Sequence, residues 1–198
     1  MIEFNNTHKE IPYLIFKEKY FKALDAGQRN IEAIVISSYN LQQKEVDSRF
    51  VNLKIIDNCK FIFFSNYNSP KSIAFNSNNQ IGALLYWPSI NVQIRMKAKI
   101  QKTSIDYNHE YFKNRSIDKN ALAISSNQSQ AIHSYEQVTL DYKNTKENQN
   151  LKKCPDYWGG YSFIPYYFEF WVGHSSRLNK RDAYEKNGNN WNHSILQP

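Results

Sequence analysis

The sequence predicts an α+β fold built on an antiparallel sheet or barrel, with helices grouped apart from the strands. Three observations carry this prediction. One amphipathic helix precedes a block of short apolar runs, helices are inserted after that block, and strand-like segments close the chain. Residues 92–101 alternate apolar and polar side chains over an unusually long span. There is no internal repeat and no GxGxxG, so alternating βαβ units of the dinucleotide-binding kind have no support. With 198 residues, 41% of them hydrophobic, and no linker, the chain is expected to bury one core as one domain, 1–198.

Tyr13, Phe16, Tyr20, Phe21 and Leu24 recur at helical spacing, and Gly27 follows where a helix would stop, which predicts a helix over 11–26. From Ile31 the chain turns to runs rich in Ile, Val and Phe broken by Asn-containing turns, predicting strands at 31–38, 48–56, 60–66 and 81–87. Val92, Ile94, Met96, Ala98 and Ile100 oppose Gln93, Arg95, Lys97, Lys99 and Gln101, the pattern of a half-buried strand. Helices are expected around 107–115 and 129–147, then strands at 161–173 and 190–196. Trp158-Gly159-Gly160, taken alone, reads as a turn.

The charge of +7 favours anionic partners, phosphates included. Nucleic acid is not expected, because Lys and Arg are scattered instead of gathered with exposed aromatics. Cys59 and Cys154 are far apart and lack metal-ligand spacing, so no metal is expected. No run approaches a membrane span and the N-terminus has no signal-peptide pattern, which leaves the cytoplasm as the expected location.

Ser69-Pro70-Lys71 follows the apolar run Phe61–Phe64, with Ser at a cap position and Pro at the first helical position. A helix should begin here. Its free N–H groups and Lys71 would suit an anion, although a capped helix with a solvated lysine accounts for the same three residues. Arg49 and Lys54 lie on opposite faces of a simple strand and read either as cations addressing different groups or as surface side chains.

Taken in order, the motifs resemble the pyridoxamine 5′-phosphate oxidase family over roughly residues 10–198. They are Arg49-Phe50-Val51-Asn52-Leu53-Lys54, Phe61-Ile62-Phe63-Phe64-Ser65-Asn66, Gln93, Tyr111-Phe112-Lys113-Asn114-Arg115 and Gln128-Ser129. The ending adds Trp158-Gly159-Gly160, Glu169-Phe170-Trp171 and Arg177-Leu178-Asn179-Lys180-Arg181, with Leu196 and Pro198 last. The resemblance implies a split β-barrel with flanking helices that binds flavin mononucleotide (FMN), and a C-terminal dimerisation region over about 158–198. It also implies a homodimer with FMN at the subunit interface. The implied activity is oxidation of pyridoxamine or pyridoxine 5′-phosphate to pyridoxal 5′-phosphate, with O2 as acceptor and H2O2 as product.

By the same resemblance, Arg49, Lys71, Gln128 and Ser129 hold the flavin phosphate and ribityl chain, while Ser65, Gln93, Trp171 and Arg181 lie nearer the ring. Lys54, Tyr111 and Arg115, with Lys119, form the substrate phosphate clamp. Arg177 resembles the arginine beside the pyridine ring, and Asn179 completes the implied catalytic pair. Taken singly, Tyr111 reads as a core aromatic, Arg115 as a helix charge and Trp171 as core. The chain departs from the family's pattern at Pro70 and Val92 (usually arginine), Phe64 (usually tyrosine), Lys119 (commonly serine) and Asn179 (usually histidine). Asn hydrogen-bonds but cannot shuttle a proton near neutral pH.

Overall fold

The computed structural model describes residues 1–198. Strands β1 (Glu3–Asn5), β2 (Ala33–Asn40), β3 (Glu45–Asn52), β4 (Ile55–Asp57) and β5 (Lys60–Asn66) flank helix α1 (Ile11–Asp25) and lead into α2 (Pro70–Ser77). Then come β6 (Gln80–Trp87), β7 (Val92–Lys102), α3 (Ile105–Asn114), α4 (Ile117–Ser125) and α5 (Tyr135–Asn148). β8 (Trp158–Val172), β9 (Lys180–Asn187) and β10 (Asn190–Ile195) complete one ten-stranded sheet.

The expected α+β class and helix grouping hold. Hydrogen bonds run β1-β4-β5-β8-β7-β6-β2-β3, with β9 and β10 extending from β8, so the sheet is open. It is antiparallel throughout except that β1 runs parallel to β4. The expected strand 48–56 is two strands separated by a bend. At that bend the Leu53 N–H donates to Glu32 O, just before β2, and the Lys54 N–H to Ile62 O of β5, both at 2.9 Å, so consecutive residues bond to segments from opposite halves of the sheet.

The core follows the alternation of β7, whose Val92, Ile94, Met96, Ala98 and Ile100 are buried while Arg95, Lys97 and Lys99 are exposed. α1 covers this layer. Its Phe16 meets Phe61 edge-on at 5.1 Å and Trp87 at 5.7 Å, and burying each such ring stabilises by about 2–3 kcal/mol.

Several boundaries move for identifiable reasons. Residues 129–134 are not helical; α5 starts after Ser134, whose hydroxyl accepts from the Gln137 N–H at 3.2 Å. α4 and β9 are additions, as is β1. β8 begins at Trp158, so Trp158-Gly159-Gly160 is strand and not a turn, paired with Asn66, Ser65 and Phe64. Pro165 sits beside a bulge in β8, where Tyr166 has no partner and the ladder shifts register opposite Lys97 and Ala98 of β7.

Candidate functional site

Two adjoining hollows, of about 200 and 270 Å³, share Phe64, Ser65, Arg115, Lys119 and Gln128 as walls. β5 supplies one wall and the stretch around the bend after β3 another, while α3 and α4 close the top. Ser65 and Gln128 are joined directly: Gln128 Oε1 accepts from Ser65 Oγ at 3.3 Å and from the Asn66 N–H at 3.4 Å. Ser129 follows with a left-handed φ of 68°, turning the chain away after this contact.

Lys54, Tyr111, Arg115, Lys119 and Lys71 all line the larger hollow. Burial lowers the pKa of Lys54, and Lys119 and Arg115 lower it further, against the opposing pull of Glu32, 3.9 Å away. Burial likewise lowers Arg115, whose guanidinium lies 4.9 Å from the Trp158 ring centroid and donates to Lys119 O and Asn120 Oδ1. Tyr111 stacks on Phe64 with centroids 3.6 Å apart, and Phe64 stacks on Trp158 at 5.2 Å. The cations therefore stand around a flat aromatic wall.

α2 begins at Pro70 as expected, with Lys71 in its first turn. Ser69 holds the cap position, but its hydroxyl donates to Asn66 O at 2.8 Å and accepts from Lys71 Nζ at 2.9 Å instead of capping the helix. Burial, then repulsion from Arg49, pulls Lys71 down to about 8. Arg49 reaches back across β2 to Ile36 O at 3.1 Å and Ser38 Oγ at 2.8 Å, and pairs with Asp47. A phosphate ester, with several acceptor oxygens and a negative charge, suits this donor set and would relieve the strain on Lys71.

Gln93, Trp171 and Arg181 do not reach the hollows. They stand in one row across β7, β8 and β9, Gln93 opposite Trp171 and Trp171 opposite Arg181. Arg181 is anchored by Glu169, 2% exposed, which accepts from Arg181 Nε at 2.9 Å, Arg95 Nη1 at 3.0 Å and Tyr167 Oη at 3.0 Å. Arg177 sits exposed in the loop between β8 and β9 with a left-handed φ of 61°. In the same loop Asn179 Oδ1 accepts from the His174 N–H at 3.0 Å.

Residues 158–198, which hold β8 to β10 and this row apart from Gln93, match the family model described as the pyridoxine 5′-phosphate oxidase C-terminal dimerisation region. Over 192 residues the chain is 33% identical to pyridoxine/pyridoxamine 5′-phosphate oxidase 1 of Hydrogenovibrio crunogenus, covering 94% of this chain and 88% of that protein. The chain belongs to the pyridoxine/pyridoxamine 5′-phosphate oxidase family. It is thus placed among oxidoreductase enzymes. The oxidase of Colwellia psychrerythraea is 32% identical over 189 residues, 94% of this chain and 87% of that one.

Among solved structures, the family fold is matched by PhzG from Burkholderia lata 383 in complex with tetrahydrophenazine-1-carboxylic acid. Its TM-score is 0.89 at 25% identity, over 94% of this chain and 92% of PhzG. A pyridoxamine 5′-phosphate oxidase-related, FMN-binding protein from Nostoc punctiforme PCC 73102 shares the fold alone, with a TM-score of 0.74 at 11% identity over 92% and 97% of the two chains.

For an oxidase-family site, the sequence reading missed Asn66, Leu122, Ala123 and Ser126 as walls. It also missed Glu32, Asp47 and Glu169 as the carboxylates facing the site arginines and lysines. Glu169 had a signal, a carboxylate inside an otherwise aromatic strand, which a buried position permits only with cationic partners.

Proposed function

We propose that this chain is an FMN-dependent oxidase converting pyridoxamine or pyridoxine 5′-phosphate to pyridoxal 5′-phosphate, with O2 as acceptor and H2O2 as product. One observation carries the reading. Lys54, Tyr111, Arg115 and Lys119 converge on a hollow that also holds Ser65, Gln128 and the buried Lys71, which is enough charge for two phosphate groups. Lys71, Arg49, Gln128 and Ser129 would hold the flavin's phosphate and ribityl chain, with Ser65 nearer the ring. Lys54, Tyr111, Arg115 and Lys119 would hold the substrate phosphate, the guanidinium by its planar fork and the lysines as point charges.

When bound, FMN would supply acceptance of hydrogen from substrate C4′ and its delivery to dioxygen. For the amine substrate the sum is pyridoxamine phosphate, water and O2 giving pyridoxal phosphate, ammonia and H2O2. Arg177 orients the pyridine ring and stabilises developing charge, without needing to accept a proton. Asn179 lies within the same loop and fixes its backbone through His174.

The separation of Gln93, Trp171 and Arg181 from the hollow supports a homodimer in which the row of one copy closes the hollow of the other. We read the open sheet as a split barrel whose halves are joined at Leu53–Lys54, and the chain as one domain of a cytoplasmic dimer. The test is a visible spectrum of the purified protein, followed by pyridoxamine phosphate under air with peroxide detection. Flavin absorbance and peroxide release are expected. A colourless protein that does not take up added FMN overturns the reading, and bound flavin without peroxide would mark a ligand-binding protein.

A second reading is flavin-dependent oxidation of another small acid. Asn179 in place of the usual histidine favours it, together with the likeness to a PhzG complexed with a tricyclic carboxylic acid. Turnover of aromatic carboxylates exceeding that of pyridoxamine phosphate would decide for it.

A further inference from the structure

Asn108, Tyr111 and Phe112 of α3 and Arg115 at its C-cap are three or four residues apart along one side of the helix. Tyr111 and Arg115 line the hollow. Asn108 does not. It is 4% exposed and points into the contact between α3 and the start of β8. Its Oδ1 accepts from the Gly160 N–H at 2.8 Å and from Thr103 Oγ1 at 2.5 Å. Its Nδ2 donates to Tyr67 Oη at 3.0 Å, and the Tyr67 hydroxyl donates onward to Gly160 O at 3.0 Å.

The two glycines make this seat possible. A Cβ on Gly160 would come within 2.5 Å of Thr103 Oγ1, and one on Gly159 would overlap the Tyr67 hydroxyl and the Asn108 amide. One buried amide thus ties α3 to β8 and, through Tyr67, to the segment that leads into α2 and Lys71. Such a closed network is costly to break, because each orphaned polar atom is left without water.

We propose that Asn108 is the positioning residue of the anion clamp: it sets the rotation and depth of α3 so that Tyr111 and Arg115 meet at the hollow. The proposal rests on the reading of those two residues as phosphate ligands. Asn108 itself touches neither substrate nor flavin. Its effect should fall on recognition of the anion, since a shift of about 1 Å in a positioned group can cost up to roughly a hundredfold.

The experiment compares wild type, Asn108→Asp and Tyr67→Phe, each saturated with FMN. Asp keeps the acceptor side toward Gly160 and Thr103 and loses the donor to Tyr67. Tyr67→Phe removes the same link from the other end. Three quantities are measured: KM and kcat for pyridoxamine phosphate, the rise in thermal midpoint on adding inorganic phosphate, and the Kd for FMN. Expected for Asn108→Asp is a KM raised roughly tenfold with kcat changed less than about threefold, a reduced phosphate-induced rise, and an FMN Kd near wild type. Tyr67→Phe should shift the same quantities less.

If both variants keep wild-type KM and phosphate response, the positioning role is wrong. Equal losses in FMN binding, kcat and phosphate response would also overturn it, leaving a general structural role, and if Asn108→Asp fails to fold, Tyr67→Phe alone decides. A wild type that shows no response to phosphate would overturn the clamp reading itself, which is a separable result.

Discussion

The hollow and the β7–β9 face both gather cations, but they balance them in opposite ways. On the face, Arg95 and Arg181 share the buried carboxylate of Glu169, which also accepts from Tyr167. In the hollow, Lys54, Arg115 and Lys119 face one another with Glu32 at 3.9 Å from Lys54, and Lys71, hydrogen-bonded only to a hydroxyl, feels Arg49 more strongly than Asp47. A matched cluster is complete without a ligand and holds side chains in place. An unmatched one stores repulsion that an incoming anion relieves, so the charge balance of a site tells scaffold from receptor.

The largest effect should come from unbalancing the face. Glu169→Ala leaves Arg95 and Arg181 without their shared carboxylate and should cost about 3 kcal/mol, at the low end for a broken buried pair because both guanidiniums are partly solvated. Urea unfolding measures this, and a loss below about 1 kcal/mol would mean that the cluster is solvated and not scaffold.

Next is Arg115→Ala, which removes a cation from the unmatched side. KM for pyridoxamine phosphate should rise roughly thirtyfold, as for a lost charge-assisted contact, while stability falls less than in Glu169→Ala. The reverse ranking in stability would erase the distinction between the two regions.

The smallest effect is a pH dependence at Lys71. Its folded-state pKa of about 8 lies below the usual 10.5, so the unfolded chain holds that proton more tightly. The penalty is therefore full below pH 8 and fades as pH rises toward 10.5, which means that stability from this residue increases across that window. Against Lys71→Met, wild type should gain on the order of 1 kcal/mol in unfolding free energy between pH 8 and pH 10, and saturating FMN should flatten the gain. No difference in slope between the two proteins would remove Lys71 from the unmatched set.

Much of this organisation was legible in the sequence where one local signal dominates. The alternation of Val92–Gln101 and the apolar run Phe61–Phe64 mark strands because one face or both must be buried. β9 was not legible, since Lys180, Arg181, Asp182, Glu185 and Lys186 hide a strand whose buried members are only Ala183 and Tyr184. α4 has Leu122 and Ile117 exposed, which blurs its period. Trp158-Gly159-Gly160 looked like a turn because glycine pairs favour turns locally; the approach of Asn108 and Thr103, which demands the missing side chains, lies some fifty residues away. At the site, the order of motifs pointed to the residues that line the hollow. It could not show that Gln93, Trp171 and Arg181 stand apart from it, nor that Arg181 is held by Glu169, because both facts are set by strand register.

The bend at Leu53–Lys54 has a further consequence for how this site can be re-engineered. Arg49 and Lys54 belong to one continuous piece of chain whose two ends are held to strands in opposite halves of the sheet, the Arg49 side chain to Ile36 O of β2 and the Lys54 N–H to Ile62 O of β5. That piece acts as a spacer of set length between the anchors proposed for cofactor and substrate. Inserting or deleting a residue there would reverse the pleat on one side and carry Lys54 out of the hollow. A ligand of different length would therefore be met more readily from α4, where Lys119 is free to change without disturbing the sheet.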